Sequence, residues 1–158
     1  MSMTRFACLC VFLVLCACSD YPRDPEDSLA RAHEHGLRVG LSHDPPFVDL
    51  SGREPAGIEV DWIRRFAHGR GMEVEWVVDG HDALMLELLD FRLHLVAGGH
   101  RRDSPWKDAS WSLPVKIATA DGLVERRFAL PPGENAWQLV LDRQLHADAP
   151  ALANGASR

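Results

Sequence analysis

Two short segments of the 158-residue chain carry side chains suited to binding a small polar molecule. The first, HDPPF, offers a carboxylate and an aromatic ring, and its adjacent prolines present that ring at low entropic cost. In the second, GGHRR, glycine amides allow a ligand to approach closely, and an arginine fork can hold a carboxylate. The candidate ligand-binding residues are Asp44, Phe47, Gly98, Gly99, His100, Arg101 and Arg102.

These residues also have a purely structural interpretation, in which Phe47 covers the end of a sheet, the glycines turn the chain and the arginines stay solvated. We expect no metal and no cofactor, because neither the pair His33 and His35 nor the group His43, Asp44 and His100 has the spacing of a strong ligand set. The same group could be acid/base machinery. Spacing identifies no nucleophile with a base and an orienting partner, so we expect a binding protein rather than an enzyme.

The elements that must position these segments alternate between strand and helix. Strand patterns cover Leu37–Ser42, Met72–Val78 and Arg92–Ala97, and amphipathic helical patterns fill the two intervals between them. This order predicts an α/β fold with right-handed crossovers and a mainly parallel sheet. With strand order 2-1-3, both candidate segments leave carboxyl ends of neighbouring strands, where ligands bind in open sheets.

The last third of the chain is predicted to form an antiparallel hairpin and a helix. Asp121-Gly122 lies between two extended runs, which favours a tight primed turn. The final helix carries Trp137, Val140, Leu141 and Leu145 on one face. We expect one folded lobe over 37–147 and a disordered tail over 148–158.

The N-terminal segment is typical of a secreted protein. Residues 1–17 read as a signal peptide, and LCAC, ending at Cys18, resembles a bacterial lipobox. Acylation of Cys18, for example with palmitate, would anchor residues 18–36, a tether with a short helix, to a membrane. The alternative is an ordinary signal peptide cleaved near Ala17. Without residues 1–17, 16 Lys and Arg face 23 Asp and Glu, a net charge of −7, which disfavours nucleic acid as a partner.

Four segments together resemble the first lobe of bacterial extracellular solute-binding proteins of family 3, the periplasmic amino-acid-binding type: LRVGLSHDPPF, EPAGIEVDWIRRFA, DALMLELL and LHLVAGG. RRFALPPGENAWQLVLDRQL resembles the segment that returns to this lobe after the second. The resemblance implies that 37–147 form a solute-binding-like lobe, one lobe of a type II periplasmic-binding-protein fold in three layers, with the hairpin in place of the missing lobe. The family's ligand arginine aligns with Pro105, and its common aspartate in the third strand aligns with His94.

The resemblance implies a periplasm-facing lipoprotein of the cell membrane or outer membrane. Such a protein would recognise a small, polar, amino-acid-like solute for, or alongside, a membrane transporter. A second hypothesis is a non-binding envelope module for protein interaction, favoured if Trp106, Trp111 and Trp137 form an exposed patch. A third, weaker hypothesis is an enzyme, since related folds include cyclohexadienyl dehydratases. It requires His43, Asp44 and His100 within hydrogen-bonding reach.

Overall fold

The computed structural model describes residues 23–100 and 104–155. The predictions for the signal segment 1–17, for Cys18 and for Arg101 and Arg102 lie outside these residues. In the described part of the chain, no helix is both long and apolar enough to cross a bilayer. The helices are α1 (Ser28–His35), α2 (Ile58–His68), α3 (His81–Leu89) and α4 (Asn135–Ala153). The strands are β1 (Leu37–Leu41), β2 (Val74–Val78), β3 (Leu95–Ala97), β4 (Ser110–Trp111), β5 (Val115–Thr119), β6 (Gly122–Arg126) and β7 (Ala129–Leu130).

Five strands form the main sheet, in the order β2-β1-β3-β7-β4. Strand β1 is parallel to both β2 and β3. Strand β7 is antiparallel to β3, and β4 is antiparallel to β7. The predicted α/β fold and the 2-1-3 order are therefore confirmed, and two short strands extend the sheet beyond β3.

Helices cover both faces of this sheet, as a three-layer fold requires. Side chains alternate along β3, so that Leu95 and Ala97 pack in one core cluster and Val96 packs in the other. Helices α2 and α4 supply the first cluster, whereas α3 supplies the second. Burial on both faces explains why β3 is a continuous apolar run and why β1 is apolar except at Arg38.

Strands β5 and β6 form the predicted hairpin as a separate two-stranded sheet. The position of its turn differs from the prediction by one residue, because Thr119 pairs with Gly122 and the chain reverses at Ala120 and Asp121. Neither Ala120 nor Asp121 has a positive φ, whereas Gly122 has a φ of 117°. The predicted primed turn, which needs positive φ within its two-residue loop, is therefore wrong in type.

The terminal helix α4 is longer than the sequence suggested. It runs to Ala153, and Leu152 is only 4% exposed and belongs to the first core cluster. The Trp62 indole N–H also donates to the Asp148 carboxylate at 2.9 Å. The prediction of a disordered tail is therefore wrong for residues 148–153, because this stretch buries an apolar side chain and satisfies a buried donor.

Reciprocal hydrogen bonds near the starts of α1 and α4, which we call the exchange of caps, attach the described part of the tether to the lobe. Glu134, next to α4, accepts hydrogen bonds from the amides of Glu26 and Ser28 at 3.0 and 2.9 Å. Asp24 in turn accepts from the amides of Ala136 and Trp137, at 2.7 and 3.0 Å. Ser28, Ala136 and Trp137 lie in first turns, where amides have no partner inside their own helix, and Glu26 lies just before α1. Because Ala32 of α1 is fully buried, this helix belongs to the lobe and not to a tether.

Candidate functional site

The loop after β1 brings a carboxylate to the carboxyl end of the sheet. Asp44 and Val48 close a tight turn, since the Asp44 amide donates to the Val48 carbonyl at 2.8 Å and the Val48 amide donates back at 3.0 Å. The turn buries the Phe47 ring and leaves the Asp44 side chain 30% exposed. This loop thus combines a carboxylate in contact with solvent and an aromatic wall behind it.

The loop after β3 begins with two glycines in the left-handed region. Gly98 has a φ of 91° and Gly99 a φ of 82°. A Cβ on Gly98 would overlap the Ser42 carbonyl, so only glycine fits at this close approach of two backbones. The Gly99 amide donates to Asp44 Oδ2 at 2.8 Å. The two candidate segments therefore meet, and we call the opening between them the mouth.

An arginine outside both candidate segments lies at the centre of the mouth. Arg126, the last residue of β6, is 2% exposed. Its Nε donates to Glu59 Oε1 at 2.7 Å, and its Nη2 donates to Asp44 Oδ2 at 2.5 Å. The guanidinium carbon lies 4.0 Å from the centroid of the Phe47 ring. Arg126 therefore links the hairpin to both loops through two carboxylates and a cation–π contact.

Glu59, in the first turn of α2, is the buried partner of this arginine. It is 1% exposed, and its second oxygen accepts from the Gly98 amide at 2.9 Å. Its two accepted N–H bonds, one of them from the Arg126 cation, favour the ionised form. Burial raises the pKa of Glu59, against the opposing effect of the Arg126 charge. Burial acts to lower the pKa of Arg126, but the charge of Glu59 and the hydrogen bonds to both carboxylates outweigh it and raise that pKa.

A sequence signal for Arg126 did exist. On the hairpin, Val115 pairs with Arg126 and Ile117 pairs with Val124, and these side chains share one face. Val115 and Ile117 are buried, so the alternation places an arginine on the apolar face of a strand. A charged residue on such a face needs a buried partner. That partner, Glu59, lies within the helical pattern predicted between the first two strands.

His100 lies behind the mouth and not on it. The ring is 1% exposed and contacts the rings of His81 and Trp111, with centroids 5.0 and 5.1 Å away. Neither ring nitrogen has a hydrogen-bond partner among the described residues. Burial, followed by the His81 and Arg126 charges, lowers the pKa of His100 to about 3. This imidazole is therefore neutral at physiological pH and has almost no surface with which to contact a solute.

Two of the residues considered for acid/base chemistry are engaged by other groups. His43 Nδ1 accepts from the Leu50 amide at 3.1 Å, whereas Asp44 bonds to Arg126 and to the Gly99 amide. Within residues 23–100 and 104–155, no three His, Cys, Asp or Glu side chains are grouped so as to hold a metal ion.

The three tryptophans do not form an exposed patch. Trp137 is fully buried and donates its indole N–H to the His94 carbonyl at 2.6 Å. Trp106 and Trp111 are half-buried against the second core cluster. Asp82, Pro105 and Trp106 line a cavity of about 340 Å³ beside α3. The feature expected of an interaction module is therefore absent at these three side chains.

Solved structures of amino-acid-binding proteins share this fold. Domain 1 from TmArgBP, in its arginine-bound form, has a TM-score of 0.60 and 25% sequence identity over 70% of this chain and 91% of that one. Its Phe57Trp mutant, also described as arginine-bound, has a TM-score of 0.60 and 24% identity, over 70% and 89% of the two chains. AncCDT-1, described as an ancestral amino acid-binding protein and a precursor of cyclohexadienyl dehydratase, has a TM-score of 0.61 and 15% identity, over 80% and 95%.

No protein-family model matches the sequence, and no curated protein matches it. The structural likeness spans nearly the whole of the isolated TmArgBP domain, so the described residues correspond to one lobe. The resemblance to family 3 solute-binding proteins is thus confirmed: the chain has the fold of a single lobe of a periplasmic amino-acid-binding protein.

Proposed function

We propose that this lobe recognises a small amino-acid-like solute at the mouth. The observation that carries the proposal is the hydrogen bond between the Gly99 amide and Asp44, which joins the loops after β1 and β3 at the edge where open α/β sheets bind ligands. The likeness to domain 1 from TmArgBP supports it, because that isolated lobe is described in an arginine-bound form. One lobe of this fold therefore suffices to hold an amino acid in that protein.

The charges at the mouth favour a solute that carries a cationic group. Asp44 is partly exposed, whereas the guanidinium of Arg126 is buried against Phe47. An ammonium or guanidinium group that approaches from solvent meets the carboxylate first. Arg101 and Arg102 remain our candidates for the solute carboxylate, on the chemistry of their side chains alone.

The affinity of a lone lobe should be low. A two-lobed receptor closes around its ligand and excludes water, whereas a single lobe leaves one side of the ligand solvated. We expect a dissociation constant weaker than about 1 μM, unless a second protein supplies the opposite wall.

The test is a titration of the full-length chain with single amino acids, followed by two-dimensional NMR. We expect arginine or lysine to shift the amide signals of Gly98 and Gly99 at millimolar concentration. Asp44→Asn should abolish this shift, whereas Asp108→Asn, which changes an exposed carboxylate, should leave it unchanged. No shift with any amino acid up to about 10 mM, or equal shifts in both variants, would refute the proposal.

We further propose that Cys18 carries the lipid anchor and that the protein faces the periplasm, alongside a membrane transporter. The lipobox-like LCAC and the polar segment after it support this. Cys18→Ser should move the protein from the membrane to the soluble periplasmic fraction, and mass spectrometry of the N-terminal peptide should detect acyl chains only with the cysteine. Retention of the serine variant in the membrane would contradict the anchor.

The second candidate function is a protein-interaction module of the envelope. It is favoured by the occupancy of the mouth, since Arg126 covers Phe47 and the amides of Gly98 and Gly99 already donate to carboxylates of the chain. Binding proteins and a dehydratase precursor share the fold, so the choice of binding over catalysis is based on the site. In that site the hydrogen bonds described for His43 and Asp44 go to other groups, and the ring of His100 is almost fully buried.

A further inference from the structure

A second cavity lies at the end of the sheet opposite to the mouth. It has a volume of about 250 Å³ and is lined by residues at the amino ends of β1 and β3 and at the end of α1. Because β1 and β3 are parallel, this region is separated from the mouth by the length of the strands. The cavity therefore has no part in the solute site proposed above.

Three arginines from three different elements line this cavity. Arg31 comes from α1, Arg38 from β1, and Arg92 from the segment before β3. Two carboxylates face them: Glu75 lies 3.2 Å from Arg38 Nε, and Asp90 lies 3.0 Å from Arg92 Nη2. A third carboxylate, Glu34, lies 3.9 Å from His35, which also lines the cavity. Arg38 and Arg92 therefore each have a carboxylate partner, whereas the described residues show no ion pair to Arg31.

Backbone carbonyls fix two of these guanidinium groups in place. Arg31 Nη2 donates to the Phe91 carbonyl at 2.9 Å, and Arg38 Nη1 donates to the Arg92 carbonyl at 2.7 Å. Arg31 Nε is buried and has no hydrogen-bond partner among the described residues. A buried N–H of a cation without an acceptor is costly, and an anionic ligand would remove that cost.

The buried ring of His94 also lines the cavity. Its Nδ1 accepts from the Arg38 amide at 2.9 Å, which assigns the proton of the neutral ring to Nε2 as a donor. Burial, followed by the charges of Arg31 and Arg38, lowers the pKa of His94 to about 4. The cavity thus presents N–H donors from arginine and histidine at neutral pH.

We propose that this cavity is a binding site for a small anion bearing a phosphate group. Guanidinium forks match phosphate oxygens, and groups that converge from three elements suit a tetrahedral anion better than a planar carboxylate. The phosphate can belong to a soluble phosphate or to the headgroup of an anionic lipid. Both sources offer the same oxygens to the arginines.

The test is a titration of the full-length chain with inorganic phosphate at constant ionic strength, with chloride as the reference anion. Phosphate should shift the NMR signals of Arg31, Arg38 and His94. Arg92→Gln should weaken binding about tenfold, because one charged hydrogen-bonding group is lost. Arg92 is 58% exposed, so this variant should fold. Arg53→Gln, at an exposed arginine in the loop before α2, is the matched control and should have no effect.

A second variant separates the effect of the guanidinium geometry from the effect of the positive charge. Arg92→Lys keeps the cation and should recover only part of the affinity. The absence of any shift up to about 20 mM phosphate, or equal losses in Arg92→Gln and Arg53→Gln, would overturn the proposal.

Vesicles distinguish the two sources of the phosphate group. If the ligand is a lipid headgroup, phosphatidylglycerol vesicles should retain the wild-type chain more than phosphatidylcholine vesicles, and Arg92→Gln should remove this difference. If phosphate binds but the vesicles show no difference, the ligand is a soluble phosphate.

Discussion

The guanidinium of Arg126 stacks on the ring of Phe47, with 4.0 Å between the guanidinium carbon and the ring centroid. This contact joins the hairpin to the loop after β1. The same guanidinium donates to Asp44 and Glu59, so one side chain holds together three segments that are distant in sequence. The mouth is thus organised around an internal cation.

Arg126→Gln should destabilise the protein by about 3–5 kcal/mol, because it leaves the buried Glu59 carboxylate without its cation. Urea unfolding at pH 7 measures the effect. Lys116→Gln, at an exposed position of β5, is the control and should change the free energy of unfolding by less than about 0.5 kcal/mol. The double variant Glu59→Gln, Arg126→Gln should regain part of the loss; a single-variant loss below about 1 kcal/mol would contradict the role assigned to the pair.

Gly98→Ala should cost more stability than Gly122→Ala, although both glycines have positive φ. At Gly122 no atom lies within 4 Å of an added Cβ, so only backbone strain of about 1–2 kcal/mol is expected. At Gly98 the added Cβ would also overlap the Ser42 carbonyl, and this overlap would force the loop after β3 to move. Thermal unfolding compares the two, and the Gly99 amide signal should move only in the first variant. Equal losses would show that the close approach at Gly98 is unimportant.

Glu134→Ala should destabilise the protein by about 1–2 kcal/mol, since two amides lose their acceptor. Hydrogen exchange should accelerate at Glu26 and Ser28, more than 100 residues away in sequence. Glu54→Ala, in an exposed loop, serves as the control. If exchange accelerated only at the start of α4, the cap would not act across the two helices.

Stability should fall as the pH drops from about 6.5 to 4, in part because His94 stays neutral in the folded state. Burial and two neighbouring arginines lower its pKa from 6.5 to about 4, so the unfolded chain takes up a proton first. This stabilisation is fully present above about pH 6.5 and is lost as the pH falls, by about 3 kcal/mol at pH 4. His94→Asn, whose side-chain oxygen can accept from the Arg38 amide, should flatten this dependence, and His68→Asn at an exposed site should not. Parallel pH profiles of all three proteins would exclude this effect.

The sequence predicted elements that have strong periodicity or clear boundaries. Gly57 and Gly69 frame α2, and His81 begins α3 directly after an Asp-Gly turn. Strands β4 and β7 were missed because two residues are too few to show any alternation. The end of α4 was missed because its last turns are rich in alanine and contain Pro150, and only Leu152 marks the buried face.

The candidate site was predicted in its location but not in its chemistry. The order of strands was enough to bring the loops of Asp44 and Gly99 together, because parallel strands end at one edge. Alternation along the hairpin marks Arg126 as a buried cation, but the carboxylates it meets depend on how the hairpin folds back over that edge, which no local pattern encodes. His100 looked available in the sequence, but its ring turns inward between His81 and Trp111.

The exchange of caps between Asp24 and Glu134 also determines where a mechanical load enters the protein. Tension drawn through the N-terminal segment reaches these two carboxylates before it reaches the first strand. Helix α4, the longest in the lobe, shares that tension through its own first turn. Pulling on the leading end of the chain would thus load the first turn of the trailing helix before it loads β1.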